Sequence, residues 1–117
     1  MSSETELPPE RAAELIEADA ELVDVRTDEE HAAGRIPGAR HIPLDRLQAE
    51  AETLDRGRPI VLYCRGGDRS AAAAAAFRAS GSDAYSIAGG LLAWAEQGRP
   101  LEPEGGEVAA RSGLPDR

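Results

Sequence analysis

The sequence predicts an α/β chain, a small parallel sheet with helices on both faces, and three observations predict it. Short apolar runs of strand type, "ELVDV" (21–25), "IVLYC" (60–64) and "AYSIA" (84–88), alternate with segments that read as helices. The run at 60–64 is continuous rather than alternating, the mark of a strand buried on both faces and therefore central. Hydrophobic residues make up 41% of the chain and aromatics only 3%, so Leu, Ile, Val and Ala must fill the core, which suits helices packed closely on a sheet. The 117 residues make one domain, since domains commonly run to roughly 100–150 residues.

The elements follow in order. Residues 1–7 are polar and are expected to be a flexible N-terminus. "PPERAAELIEADA" places Leu15 and Ile16 on one side of a short helix whose prolines suit a first turn. After the strand at 21–25, Thr27 is a candidate N-cap for a short helix that has acidic residues in its first turn and ends at Gly34. "RIPGARHIPL" reads as a loop with a brief strand around 39–42, and Asp45 is expected to cap a helix running to about Leu54. The turn "DRGRP" leads into the central strand. Residues 69–80 are almost all strong helix formers, closed by Gly81. A final strand at 84–88 and a helix carrying Trp94 complete a domain expected over 8–103, with 104–117 a disordered polar tail.

Charge narrows the function. The formal net charge is −9, with 22 acidic residues against 13 basic ones, all of them Arg. Nucleic acid is an unsuitable partner for such a balance, because phosphate binding needs a face with excess positive charge. No 18-residue apolar stretch is present, and "MSSETELPPE" has neither a basic nor an apolar leader region, so the expected location is the cytoplasm, away from membranes. One cysteine cannot form an internal disulfide or a multi-cysteine zinc site, and neither metal nor cofactor is expected.

That cysteine stands in "IVLYCRGGDRSA". Sites in parallel α/β sheets lie at the carboxyl ends of strands, and Cys64 falls at such an end, before a loop and a helix. Gly66 and Gly67 permit positive φ, which lets backbone N–H groups turn toward the sulfur. The helix N-terminus with Arg65 and Arg69, partly countered by Asp68, favours an anionic sulfur. An inert buried cysteine is the bland alternative, and the two glycines and two arginines beside it weigh against that.

The chain resembles the single-domain rhodanese-like sulfurtransferase family. "CRGGDRS" fits the active-site pattern C-x-x-G-x-R-S, "LVDVR" fits an early strand end, "EEHAAGRIPGARHIP" is similar to the stretch E-x-x-x-G-H-I-P-G-A-x-N-I-P, and "IAGGLLAWAEQGRPLEP" to the closing L-x-G-G-x-x-x-W segment. The resemblance spans about Pro8 to Pro103, with four motifs in order. It implies a rhodanese-like fold and transfer of sulfane sulfur through a persulfide on Cys64, with the backbone amides of Arg65, Gly66, Gly67, Asp68, Arg69 and Ser70 as its cradle. The donor would be a small molecule, thiosulfate or a persulfide. With no second cysteine in the chain, the acceptor would be cyanide, an external thiol or a sulfur-acceptor protein. A monomer or weak dimer is expected.

Two rivals stay open. A cysteine phosphatase or arsenate reductase would use C-x5-R, whereas Cys64 to Arg69 is C-x4-R, a tighter ring better matched to one sulfur than to a phosphate. A non-catalytic or redox- and sulfide-sensing module is the alternative of a different class. Within the resemblance, Arg35 replaces the usual His, and Glu30 stands where two-domain thiosulfate-using relatives carry a substrate-binding Arg, which gives a dianion no help. Asp24 and Arg26 are expected to pair and brace the loops, against a simply solvated Arg26. His31 and His41 are read as structural or surface residues, and Trp94 as core packing rather than pocket wall. Gly89 and Gly90 are expected to shape a turn close to the active loop.

Overall fold

The computed structural model describes residues 5–55 and 57–109. Five strands, β1 (Glu6–Leu7), β2 (Glu21–Asp24), β3 (Arg40–His41), β4 (Ile60–Tyr63) and β5 (Ala84–Ile87), form one sheet in the order β1-β5-β4-β2-β3. Every pairing between these strands is parallel, as the sequence predicts, and an isolated antiparallel bridge joins Arg35 to Glu102 outside them. Among the described residues the helices are α1 (Pro9–Glu17), α2 (Asp28–Ala33), α3 (Leu44–Glu50), α4 (Asp68–Ala79) and α5 (Gly90–Glu96), with a 3-10 turn at Ala51–Thr53.

The strand order sets the position of everything else. The chain moves outward from β2 to β3 in one direction and from β4 to β5 in the other, so the order reverses between β2 and β4. At such a reversal the two connections leave a crevice beyond the carboxyl ends of the strands. Asp24 and Tyr63 stand side by side in the register there, and Cys64 follows directly.

Each face of the sheet buries its own apolar cluster. Ile60, Leu62 and Cys64 of the β4 segment pack with Ala73, Ala74 and Phe77 of α4 and Leu47 of α3. Val61 and Tyr63 point the other way, to Ala12 of α1 and Leu91 and Trp94 of α5. This alternation follows from the period of two along a strand. On α4 the buried residues are Ser70, Ala73, Ala74 and Phe77, the i, i+3, i+4, i+7 stripe of one helix face. The alanine run conceals that stripe in the sequence, and its small side chains let α4 approach β4 and β5 closely.

The structure differs from the expected boundaries in three places. Within the N-terminal segment 1–7, Glu6–Leu7 is the edge strand β1, Leu7 is buried, and Thr5 O accepts a hydrogen bond from Ser86 N–H at 2.7 Å. Residues 1–4 lie outside the described residues. The tail expected over 104–117 is packed along 104–109: Glu107 N–H donates to Ala33 O at 2.9 Å, Val108 joins the α1/α5 cluster, and a Cβ on Gly34 would overlap the Glu107 backbone. Residues 110–117 lie outside the description. Asp45 does not cap α3, whose N-cap is Pro43 without a side-chain bond; Asp45 sits in the first turn, where its charge still suits the helix dipole. Thr27 does cap α2, in a capping box with Glu30.

Candidate active site

Cys64 leaves the end of β4 fully buried, and three donors reach its sulfur. Gly67 N–H donates to Sγ at 3.0 Å, Ser70 N–H at 3.4 Å, and the Ser70 hydroxyl lies 3.5 Å away. Asp68 Oδ1 is 3.7 Å from Sγ, a long contact that a thiol hydrogen can make. The sulfur thus sits at the N-terminus of α4, where backbone N–H groups and the helix dipole favour negative charge.

Two glycines make this enclosure possible. Gly67 is the N-cap of α4 at φ +106°, and an added Cβ would come within 3.2 Å of Gly89 N. Gly66 has no positive φ and nothing within 4 Å of a built Cβ, so of the pair only Gly67 is required by conformation. On the far side, Gly90 at φ +61° lies so close to the carbonyls of Cys64 and Arg65 that any Cβ would collide with them. This proximity lets Leu91 N–H donate to Cys64 O at 2.8 Å and Leu92 N–H to Arg65 O at 3.0 Å. The start of α5 therefore fixes the back of the loop, where the sequence places Gly89 and Gly90.

The two arginines of the loop are committed elsewhere. Arg65 is almost fully buried and donates from Nε to Ala109 O at 3.1 Å. Arg69 forms a bidentate pair with the buried Glu30, Nη1 to Oε1 and Nη2 to Oε2, both at 3.0 Å. Burial pushes the Glu30 carboxyl up, but the hydrogen bonds from Arg69 and the Thr27 amide outweigh it and hold the group below the usual carboxylate range. Glu30 thus links α2 to the Cys64 loop, a role its position in the sequence does not reveal.

Beside the loop, Asp24 collects a second network. Arg26 donates to it from Nε at 2.8 Å, from Nη2 at 2.6 Å and from its own amide at 3.0 Å, while Nη2 also reaches Gly34 O at 2.7 Å. Both residues are fully buried, so Arg26 is not a solvated side chain. The Tyr63 hydroxyl donates to Asp24 Oδ2 at 3.1 Å and accepts from Ile36 N–H at 3.0 Å. Burial and the Asp24 charge push the Tyr63 phenol far above its ordinary value, which keeps it a neutral donor. Burial also raises the Asp24 carboxyl, but Arg26 overrides it and the group lies below the usual range.

Both histidines join this network. His31 Nδ1 is 2.8 Å from Asp24 Oδ2, and since an ionised carboxylate only accepts, Nδ1 carries the hydrogen. Burial lowers the His31 imidazole despite the hydrogen bond and the charge of Asp24. His41 stacks on His31 with ring centroids 4.2 Å apart and donates from Nε2 to Arg26 O at 2.8 Å. Neither histidine contacts the sulfur among the described interactions. Trp94 packs in the α1/α5 cluster and donates to Pro100 O, away from the loop.

Open space flanks the loop on two sides. Arg26, Thr27, Pro43, Leu44 and Arg69 contribute to a pocket of about 390 Å³. Gly66, Gly67, Asp68 and Gly89 contribute to another of about 490 Å³. Sequence reasoning missed Tyr63 and Ser86 as members of this region, and it placed Glu30 near the substrate without foreseeing its pairing with Arg69. The signal for Ser86 was a hydroxyl inside an apolar strand, since a buried polar group needs a partner; here it is Ser70 Oγ, at 2.7 Å.

Comparison with known proteins gives a consistent result. The rhodanese-like domain family matches residues 8–97. A putative sulfurtransferase of Bacillus subtilis, YtwF, is 40% identical over 89 residues, covering 74% of this chain and 86% of the relative. The thiosulfate sulfurtransferase GlpE of Pseudomonas fluorescens is 37% identical over 95 residues, covering 80% and 87%. Among solved structures, a rhodanese-related protein from Thermoplasma volcanium superposes with a TM-score of 0.77 at 29% identity, covering 82% of this chain and 95% of that one.

Proposed function

The chain belongs to the rhodanese-like family, and from that premise we propose that it is a sulfurtransferase whose Cys64 takes a sulfane sulfur from a donor and passes it to an external thiol. The observation that carries this reading is the convergence of the Gly67 and Ser70 amides and the Ser70 hydroxyl on the Cys64 sulfur. Such donors stabilise an anionic sulfur and supply no competing nucleophile. The relatives named as sulfurtransferases point to the same chemistry.

The reaction is two displacements at sulfur. The Cys64 thiolate attacks the outer sulfur of the donor, a new S–S bond forms, and the donor's own bond to that sulfur breaks; thiosulfate leaves as sulfite, a persulfide donor as its thiolate. An acceptor thiolate then attacks the outer sulfur of the Cys64 persulfide, becomes a persulfide itself and restores the Cys64 thiolate. Both leaving groups are stable anions, so no general base is required. The chain holds one cysteine, so the acceptor thiol comes from another molecule.

The donor is thiosulfate or a persulfide. Glu30 meets the charge of Arg69, so that arginine is not presented uncompensated to a dianion. A persulfide donor is therefore at least as well suited to the loop as thiosulfate. Thiocyanate formation from thiosulfate and cyanide tests the activity: wild type turns over and Cys64→Ser does not. Equal rates in the two proteins would overturn the reading for thiosulfate.

A further inference from the structure

Ser86 lies within β5, fully buried, on the face of the sheet that α4 covers. It pairs with Leu62, two residues before Cys64 on the neighbouring strand, so β5 carries its hydroxyl beneath the start of α4. Burying a hydroxyl is costly unless it is hydrogen-bonded, and its partner is the Ser70 hydroxyl at 2.7 Å.

The Ser70 hydroxyl has three neighbours and one proton. Besides Ser86 Oγ, it faces Gly67 O at 3.4 Å and Cys64 Sγ at 3.5 Å. If Ser70 donates to Ser86, its proton is unavailable to the sulfur. If Ser86 donates to Ser70, the Ser70 proton is free to turn. Gly67 O already accepts from Ala71 N–H at 3.0 Å, and a charged acceptor forms the stronger bond, so an anionic sulfur draws that proton.

We propose that Ser86 is a positioning residue for the Cys64 nucleophile: its hydroxyl donates to Ser70 Oγ, and Ser70 in turn donates to the anionic sulfur. The two hydroxyls polarise each other in sequence, which strengthens the bond that reaches sulfur. Ser86 touches neither donor nor acceptor and acts only through Ser70. The inference rests on Cys64 being the nucleophile of the proposed sulfur transfer.

A double-mutant cycle tests it, with two readouts on the full chain: the alkylation rate of Cys64 by iodoacetamide, and sulfur loading from a cysteine persulfide followed by intact mass. Alanine is smaller than serine, so Ser86→Ala, Ser70→Ala and the double variant all fit the same space. Ser86→Ala is expected to slow both reactions roughly threefold to tenfold, the range for the loss of one neutral hydrogen bond. Ser70→Ala slows them at least as much, and the double variant is no slower than Ser70→Ala alone. Unchanged rates in Ser86→Ala, or two losses that multiply in the double variant, would overturn the proposal, since a merely structural Ser86 acts independently of Ser70. Alkylation does not depend on sulfur transfer: if the wild type is alkylated but never loaded, the sulfurtransferase reading fails while the alkylation cycle still decides the role of Ser86.

Discussion

On the α4 face of the sheet the Cys64 sulfur is surrounded by two backbone amides and a small hydroxyl; on the α1 face, at the end of the neighbouring strand, Asp24 is surrounded by the charged and aromatic side chains of Arg26, His31 and Tyr63. The two regions share the carboxyl edge of the sheet and differ in their materials. Amides and a hydroxyl aimed at a sulfur can stabilise negative charge on it, with the Asp68 carboxylate a longer contact at 3.7 Å, so the proposed chemistry belongs to the first region. Buried opposite charges have no such use, but removing one leaves the other stranded, so the second region holds the loops in place. The difference teaches that substitutions on the first face change reactivity, and substitutions on the second change stability.

The largest expected effect on stability breaks the second region. Asp24→Ala leaves the fully buried Arg26 guanidinium without its partner, with an expected loss of about 3–5 kcal/mol. Chemical denaturation measures it, and a loss below about 1 kcal/mol, the level of an exposed ion pair, would show that the network does not brace the fold. Acid probes this network, and the Glu30–Arg69 pair beside it, without mutation. Asp24 and Glu30 are both held below their ordinary values, so the folded chain binds fewer protons than the unfolded chain in acid. Their stabilising contribution is complete above the unfolded-state values of about 4 and is lost as pH falls through the lower folded-state values. Melting temperature against pH should therefore drop steeply below about pH 4, and less steeply in Glu30→Gln; identical slopes would contradict the assignment.

The smallest effect sharpens the contrast inside the Cys64 loop. Gly67→Ala forces an L side chain to positive φ against the Gly89 backbone, costing about 1–2 kcal/mol and displacing the closest amide from the sulfur. Gly66→Ala meets open space and should leave both the melting temperature and the Cys64 alkylation rate near wild type. Equal behaviour of the two variants would mean that the loop geometry does not depend on the left-handed cap.

How much of this was legible in the sequence follows from the same contrast. The Cys64 loop is local: strand, cysteine, glycines and helix start lie within a dozen residues, so the motif shows it directly. The strand and helix sequence was readable for the same reason, since each element carries its own apolar run or helix formers. What was not readable depends on distant partners. Nothing local says that Glu30 reaches Arg69, thirty-nine positions on, or that Tyr63 and His31 share Asp24. Edge strand β1 was hidden because a two-residue strand has no period, and its pairing with β5 is purely tertiary. The packed segment at 104–109 was hidden because its polar composition resembles a tail, while its backbone bonds to Ala33 and Arg65 stabilise it.

The most direct test of the central claim is the intact mass of the protein after exposure to thiosulfate and, separately, to a cysteine persulfide. The account predicts a gain of one sulfur atom in the wild type from at least one donor, its removal by an added thiol, and no gain in Cys64→Ala. A wild type that gains no sulfur from either donor, or a Cys64→Ala variant that gains it equally, would contradict sulfur carriage by Cys64.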